Sequence, residues 1–258
     1  MTHEPDRSTP AALLRLMAEI VDPITYRAVY ASNVPTGGRC LVLGAFGSVA
    51  RTLAARVGPS GEVIAAAEPE TIDVSGYHNI RAIEHDVSVD ELPGGRFDVI
   101  CARLLLVRMP NRRRIVAQLA DALTPGGMLL VEEWGEEGLA RLAVAPDVDA
   151  EELFDRWQQC LLAVLRSFGV DTSWAGRVAD AMYAGGLEKV ETVRFARSWA
   201  GGTAGCQLAI TTSMLLQTQL LARGISEAEL ARLQRILTDP VTLLDAPLTW
   251  STIGRCSG

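Results

Sequence analysis

Two stretches of the chain carry residue types whose spacing could do chemistry. The first is Cys40 to Glu70, "CLVLGAFGSVARTLAARVGPSGEVIAAAEPE", in which Gly44 and Gly47 end an apolar run just before a helical pattern. This is the layout of a loop that lets its backbone approach a nucleotide cofactor. The second is the carboxylate pair Glu132-Glu133 at the end of "GMLLVEEW", where a carboxylate could act as a base. Successive strand residues point to opposite faces, so only one of the two can face a substrate in a regular strand. The histidines are few. His78 and His85 flank one short strand pattern and His3 lies near the start, and all three read as structural or exposed. The cysteines Cys40, Cys101, Cys160, Cys206 and Cys256 are scattered, with no C-x-x-C pair. Neither a metal site nor a disulfide framework is expected, and a reducing cytoplasm is the matching compartment.

The elements that must position these residues follow from periodicity. "PAALLRLMAEIVDPITYRAVYASNV" has helical spacing interrupted by Pro23, which predicts two short helices. "RCLVLGAF", a helix over "SVARTLAARVG" and "GEVIAAAE" then make a strand-helix-strand unit with parallel strands. "NIRAIEHDV" and "RFDVICARLLL" are a third and fourth strand. Asn111 should cap a helix ending at Pro125-Gly126-Gly127, and "GMLLVEEW" is a fifth strand. Beyond Trp134 the spacing predicts consecutive helices over 149–169 and 174–186, covering the sheet's ligand edge. A sixth strand over "LEKVETVRFARSW", two helices and a last strand, "LTWSTIGRC", follow. Ser226 and Glu229 have capping-box spacing. The expected fold is α/β, an open Rossmann-like sheet with helices on both faces and a helical cap. Four blocks divide it: an N-terminal helical cap over 1–35, a cofactor-binding core over 36–138, a helical cap insertion over 139–186, and the remainder of the core over 187–258.

Composition excludes several function classes. With 48% hydrophobic and 21% charged residues the chain can build a packed core. A net charge of −7 gives no general attraction to nucleic acid or anionic lipid. The basic run Arg112-Arg113-Arg114 reads as a solvated helix face. Polar residues break the apolar stretch around 208–222, so no membrane span is expected, and the opening "MTHEPDRSTP" lacks the pattern of a signal peptide.

Taken in order, "GSVARTLAARVGPSGEVIAAAEPE", "FDVICARLLLVRMPN", "LTPGGMLLVEEW" and "GGLEKVETV" resemble the class I S-adenosylmethionine (SAM)-dependent methyltransferases, and within them the small-molecule enzymes of bacterial secondary metabolism. The resemblance implies a seven-stranded, mostly parallel sheet whose last strand is antiparallel between the fifth and sixth. It places SAM across the carboxyl ends of strands one, two and four, in keeping with ligand binding at the switch point of open α/β sheets. The first loop of that family has the pattern D-x-G-x-G-x-G, with the acid orienting the amino group of SAM. Here the loop, Gly44-Ala45-Phe46-Gly47, has Val42 where the acid is expected and Phe46 at or beside the second glycine, and it is one residue short. The Phe46 ring either projects where the amino-acid end of SAM sits or packs under the sheet.

The resemblance further implies that Glu68, followed by Pro69, takes the ribose hydroxyls, that Asp86 accepts from the adenine amine, and that Val87 offers its backbone to the ring. Cys101 and Arg108 stand in a segment that often carries histidines in that family. Cys101 falls beside the cofactor and reads chemically as a small packing residue. Arg103 would line the pocket, and Arg108 would either pair with a substrate carboxylate or face solvent. Glu133, Arg103 and Arg108 are thus the candidate catalytic residues. Trp134, Trp157, Tyr183 and Trp199 offer an aromatic wall or ordinary core packing. Methyl transfer from a sulfonium depends mainly on bringing donor and acceptor together. The implied activity is therefore methylation of a small, largely apolar metabolite. Val42, Phe46 and the shortened loop favour an alternative, a descendant of the fold that no longer methylates and instead catalyses a cyclisation or rearrangement. A non-catalytic partner subunit is the third reading. The N-terminal helices and "TSMLLQTQLLARG" offer a homodimer face.

Overall fold

The computed structural model describes residues 9–44, 47–66 and 74–258. The notable exclusions are Ala45, Phe46, Glu68 and Pro69, so the roles expected of these four lie outside the described residues. By contacts the chain divides into two compact units. One comprises Asp22–Gly135, Ser173–Phe195 and Thr249–Gly258, and the other comprises Met1–Val21, Glu136–Thr172 and Ala196–Leu248.

The first unit is built on a sheet of seven strands: β1 (Arg39–Leu43), β2 (Glu62–Ala66), β3 (Ile80–Ile83), β4 (Phe97–Arg103), β5 (Leu123–Trp134), β7 (Glu188–Phe195) and β10 (Thr249–Arg255). Their order across the sheet is β3-β2-β1-β4-β5-β10-β7. β1 to β5 pair in parallel, whereas β10 runs antiparallel to both β5 and β7. This is the expected class I methyltransferase arrangement. The buried, β-branched and leucine-rich runs of β1, β2, β4 and β5 suit strands covered on both faces.

One face carries Leu41, Leu43, Ile64, Ile100, Ala102, Leu129 and Val131. These pack with Ile115, Val116 and Leu119 of α3 (Arg112–Asp121) and with Val178, Ala181 and Met182 of α5 (Val178–Ala184). The alternate residues Val42, Cys101, Arg103, Leu130 and Glu132 fall on the opposite face. Helix α2 (Gly47–Val57) packs on β1 and β2 through Val49, Ala50, Leu53, Ala54 and Val57.

The N-terminal segment differs from expectation. It forms one helix, α1 (Pro10–Ala31), with Pro23 inside it. Proline removes one backbone donor, but Asp22 and Thr25 on either side of it hold buried partners on the sheet, and that anchoring outweighs the lost rung. Asn111 occupies the N-cap position of α3 without a side-chain cap, because its amide donates to Ser88 O at 3.1 Å instead.

The other unit holds three short strands, β6 (Arg141–Val144), β8 (Ser198–Ala200) and β9 (Leu243–Asp245); no sequence pattern announced β6 or β9, and β8 falls at the end of the expected sixth strand. They pair in the order β6-β9-β8. With them are helices α4 (Ala150–Ser167), α6 (Ala204–Leu215), α7 (Gln217–Leu221) and α8 (Glu227–Thr238). The contact grouping divides the chain differently from the four sequence blocks. Residues 196–248, read as part of the core, group with 136–172, and the expected sixth strand divides into β7 and β8, which belong to different sheets. The capping box of α8 forms as its spacing implied: Ser226 Oγ accepts from Glu229 N, and Glu229 accepts from Ser226 N at 2.7 Å.

Candidate active site at the carboxyl edge of the sheet

Gly44 leaves β1 with φ of +104°, a backbone conformation that residues with a Cβ avoid. Its N–H bonds Ala66 O at 3.2 Å, tying the start of the loop to the end of β2. Val42, two residues earlier, is buried and apolar, so this position offers no side-chain acceptor.

Beyond β3, Asp86 is exposed and its carboxylate is organised. Ser88 N and Ser88 Oγ donate to Asp86 Oδ1 at 2.9 and 2.7 Å, and these bonds hold the group below the usual carboxylate range. Val87 beside it is buried in the core. His85 packs its ring away, with Nδ1 3.8 Å from Asp90, while His78 is exposed.

At the end of β4, Arg103 has no exposed side-chain surface. Nη1 donates to Asp22 Oδ1 at 2.8 Å, and Nε lies 3.5 Å from Glu132 Oε2. Thr25 Oγ1 donates to the same Glu132 oxygen, and Ser251 Oγ donates to Oε1 at 3.0 Å. Burial pushes the Glu132 carboxyl up, against the pull of Arg103, Thr25 and Ser251. Tyr26 Oη donates to Asp22 Oδ2 at 3.0 Å, and desolvation together with the Asp22 charge raises its phenol. The pocket-lining role expected of Arg103 thus becomes an internal ion pair, because a guanidinium without water needs carboxylates around it. The partners Asp22 and Thr25 were missed. The available signal was two polar residues three apart, flanking Pro23, on an otherwise apolar helical pattern.

Glu132 and Glu133 point to opposite faces, as the strand period requires. Glu133 is fully buried and Oε1 accepts from Leu106 N at 2.7 Å and Val107 N at 3.2 Å. Burial raises its carboxyl to about 8, against the pull of these N–H groups and of Arg108. Both donors belong to the 3₁₀ turn Leu106–Arg108, which follows Leu104, a residue with φ of +47°. Expected as the base, Glu133 instead sits behind this turn with no surface for a substrate, while Arg108 is exposed. Cys101 is buried and its thiol is raised by desolvation, which fits a packing residue. Of the aromatic candidates, Tyr183 is exposed, and Trp134 Nε1 donates to Thr249 Oγ1 at 2.9 Å. Trp157 and Trp199 are buried in the second unit.

A cavity of about 200 Å³ lies at the opposite, amino edge of the sheet, where Asp98 and Thr124 are among its lining residues. Asp98 is already engaged there by Arg39 N and Thr124 Oγ1, at 2.8 and 3.0 Å. Among the described residues no cluster of histidine, cysteine and acidic side chains could hold a metal ion, and no helix is long and apolar enough to cross a membrane.

Comparison with known proteins agrees with this sheet order. The "Ubiquinone/menaquinone biosynthesis C-methyltransferase UbiE" of Ectopseudomonas mendocina (strain ymp) is 29% identical over 126 residues, 45% of this chain and 49% of that protein. The chain thus spans about half the length of the curated relatives it matches. A putative methyltransferase from Bacillus halodurans has a similar structure, with a TM-score of 0.55 at 15% identity, covering 92% of this chain and 99% of that one. A Haemonchus contortus phosphoethanolamine N-methyltransferase, solved with phosphomonomethylethanolamine and S-adenosylhomocysteine, gives 0.57 at 11% identity, covering 96% of this chain and 58% of that one. The model of a methyltransferase-domain family matches residues 31–181, more than half of the chain, and the chain belongs to that family, within the class I SAM-dependent methyltransferases.

Proposed function

We propose that the chain is a SAM-dependent methyltransferase acting on a small, largely apolar metabolite, in the cytoplasm and in bacterial secondary metabolism. The observation that carries this reading is the organised carboxyl edge of the sheet, where Gly44 turns away from β1 and an ionised Asp86 stands beyond β3. Asp86 suits the nucleoside half of the cofactor, since a carboxylate only accepts and the adenine amine donates. Val42 gives the amino-acid half no side-chain acceptor at its own position.

The cofactor would supply an electrophilic methyl group. The contribution of the chain is alignment and exclusion of water, which account for most of what such a displacement needs. Glu133, sealed by the N–H groups of Leu106 and Val107, is not presented as a base in this geometry. An acceptor already nucleophilic at neutral pH suits such a site. Carbon methylation, the reaction named for the quinone-pathway relatives, is the version to test first.

The buried, apolar Val42 also supports a second reading, in which the fold has lost methyl transfer and its pocket pre-folds a substrate for cyclisation or rearrangement. Calorimetric titration with SAM and S-adenosylhomocysteine separates the two. Micromolar binding of both, with a mass gain of one methyl group on a phenolic or quinol acceptor, supports methyl transfer. No heat at millimolar ligand rejects it. Phe46→Gly sharpens the test, because a degenerate loop gains SAM affinity from the change and a functional loop does not.

A further inference from the structure

We infer that Ser88 and Asn111 are positioning residues that hold the Asp86 carboxylate toward the purine amine and so set a preference for adenosyl over inosyl ligands. The inference rests on the cofactor reading above. Both Ser88 donors fall on one oxygen, Asp86 Oδ1, which fixes the carboxylate plane and leaves the lone pairs of Oδ2 for a ligand.

The main chain around the carboxylate is locked as well. Asp86 N donates to Asp90 Oδ2 at 2.8 Å, and Val89 N and Asp90 N donate to Asp86 O at 3.1 and 2.8 Å. Ser88 is tied in turn to the element after β4, because Asn111 Nδ2 donates to Ser88 O at 3.1 Å. Asn111 stands at the N-cap of α3, where an asparagine side chain ordinarily satisfies the helix's own N–H groups. Here it gives none, and the bond goes to the loop.

The chemistry that follows is discrimination. An ionised carboxylate has no donor, so it accepts from the exocyclic amine of adenine and repels the carbonyl oxygen that hypoxanthine carries at the same place. Discrimination of this kind is strong only when the acceptor cannot rotate away, because a mobile carboxylate would turn to solvent and treat both rings alike. Ser88 and Asn111 supply that restraint.

The test compares S-adenosylhomocysteine with S-inosylhomocysteine by calorimetry on the full chain, for the unaltered protein, Ser88→Ala, Ser88→Thr and Asn111→Ala. The expected result is an adenosyl-over-inosyl affinity ratio that falls about tenfold in Ser88→Ala and severalfold in Asn111→Ala, and that Ser88→Thr restores. Asp86→Asn, whose oxygen stays on the Ser88 donors and whose amide then donates toward the ring, should bring the ratio to one or below. A ratio unchanged in Ser88→Ala overturns the inference, and so does an equal loss for both ligands, which would mark a merely loosened loop. If S-adenosylhomocysteine fails to bind the unaltered protein, the cofactor reading itself falls and the inference with it.

Discussion

Replacing Glu133 with glutamine should change how stability depends on pH. The carboxyl is fully buried, with Oε1 on two backbone N–H groups and Oε2 without a partner among the described residues, and desolvation raises it from 4.5 to about 8. In the unfolded chain the group ionises near 4.5, whereas in the folded chain it keeps its proton to about 8. The stabilisation is therefore fully present below 4.5, falls as pH rises, and is lost once pH passes about 8. At about 1.36 kcal/mol for each pH unit, the loss is on the order of 5 kcal/mol as an upper figure, and water entry on ionisation lowers it toward about 2. The introduced glutamine presents the same acceptor to Leu106 and Val107, but its amide leaves two N–H donors buried where the protonated acid leaves one O–H; the extra donor costs on the order of 1 kcal/mol, so the two proteins should match within about 1 kcal/mol at pH 5. By pH 8.5 the Glu133→Gln variant should be the more stable, by about 2–5 kcal/mol. Urea denaturation of both proteins from pH 5 to 9 measures this difference. Parallel stability curves over that range would refute the argument that the carboxyl is held neutral.

Three other substitutions probe the same edge and the second unit. Arg103→Met leaves the buried Glu132 and the partly exposed Asp22 without their cation and should lower stability by about 3–5 kcal/mol at neutral pH, with part of the loss recovered on acidification as Glu132, already raised by burial, takes up a proton. Denaturation at pH 5 and 7 checks both the size and the sign. Val42→Asp buries a carboxylate and should destabilise the free protein. Added SAM should then raise the melting temperature more in the variant than in the unaltered chain, provided that the new acid meets the cofactor's amino group. Ser226→Ala should cost about 1 kcal/mol in urea denaturation through the lost cap of α8, with no effect on cofactor affinity.

The parts of the fold that were legible are those whose apolar residues form unbroken runs or recur at helical spacing. β1, β2, β4 and β5 are continuous apolar runs, and their order along the chain was enough to imply the sheet. Pro23 misled because the helix rule concerns the backbone alone, whereas α1 is held by side chains bonded to residues more than 80 positions away. β6 and β9 escaped notice, and β8 merged with β7 into one expected strand, because strands of three or four residues carry too little alternation to stand out. Ser88 and Asn111 left no signal either. An asparagine before a helix reads as its cap, and only the three-dimensional placement shows the bond going elsewhere.

Adjacent carboxylates at the end of β5 look in sequence like one pair with a shared purpose, and the strand period separates them into two environments. Glu132 meets a guanidinium and two hydroxyls and joins α1 to β4, β5 and β10. Glu133 meets backbone N–H groups and fixes the turn that follows β4. Each therefore shapes the ligand edge from behind, one through the helix and one through the turn, and Asp86 is an exposed acceptor at that edge. A methyl transfer that depends on alignment has use for such an arrangement, since the buried acids act by holding backbone in place. Removal of either should therefore act on ligand affinity through position, while changes at Asp86 act on which ring is accepted.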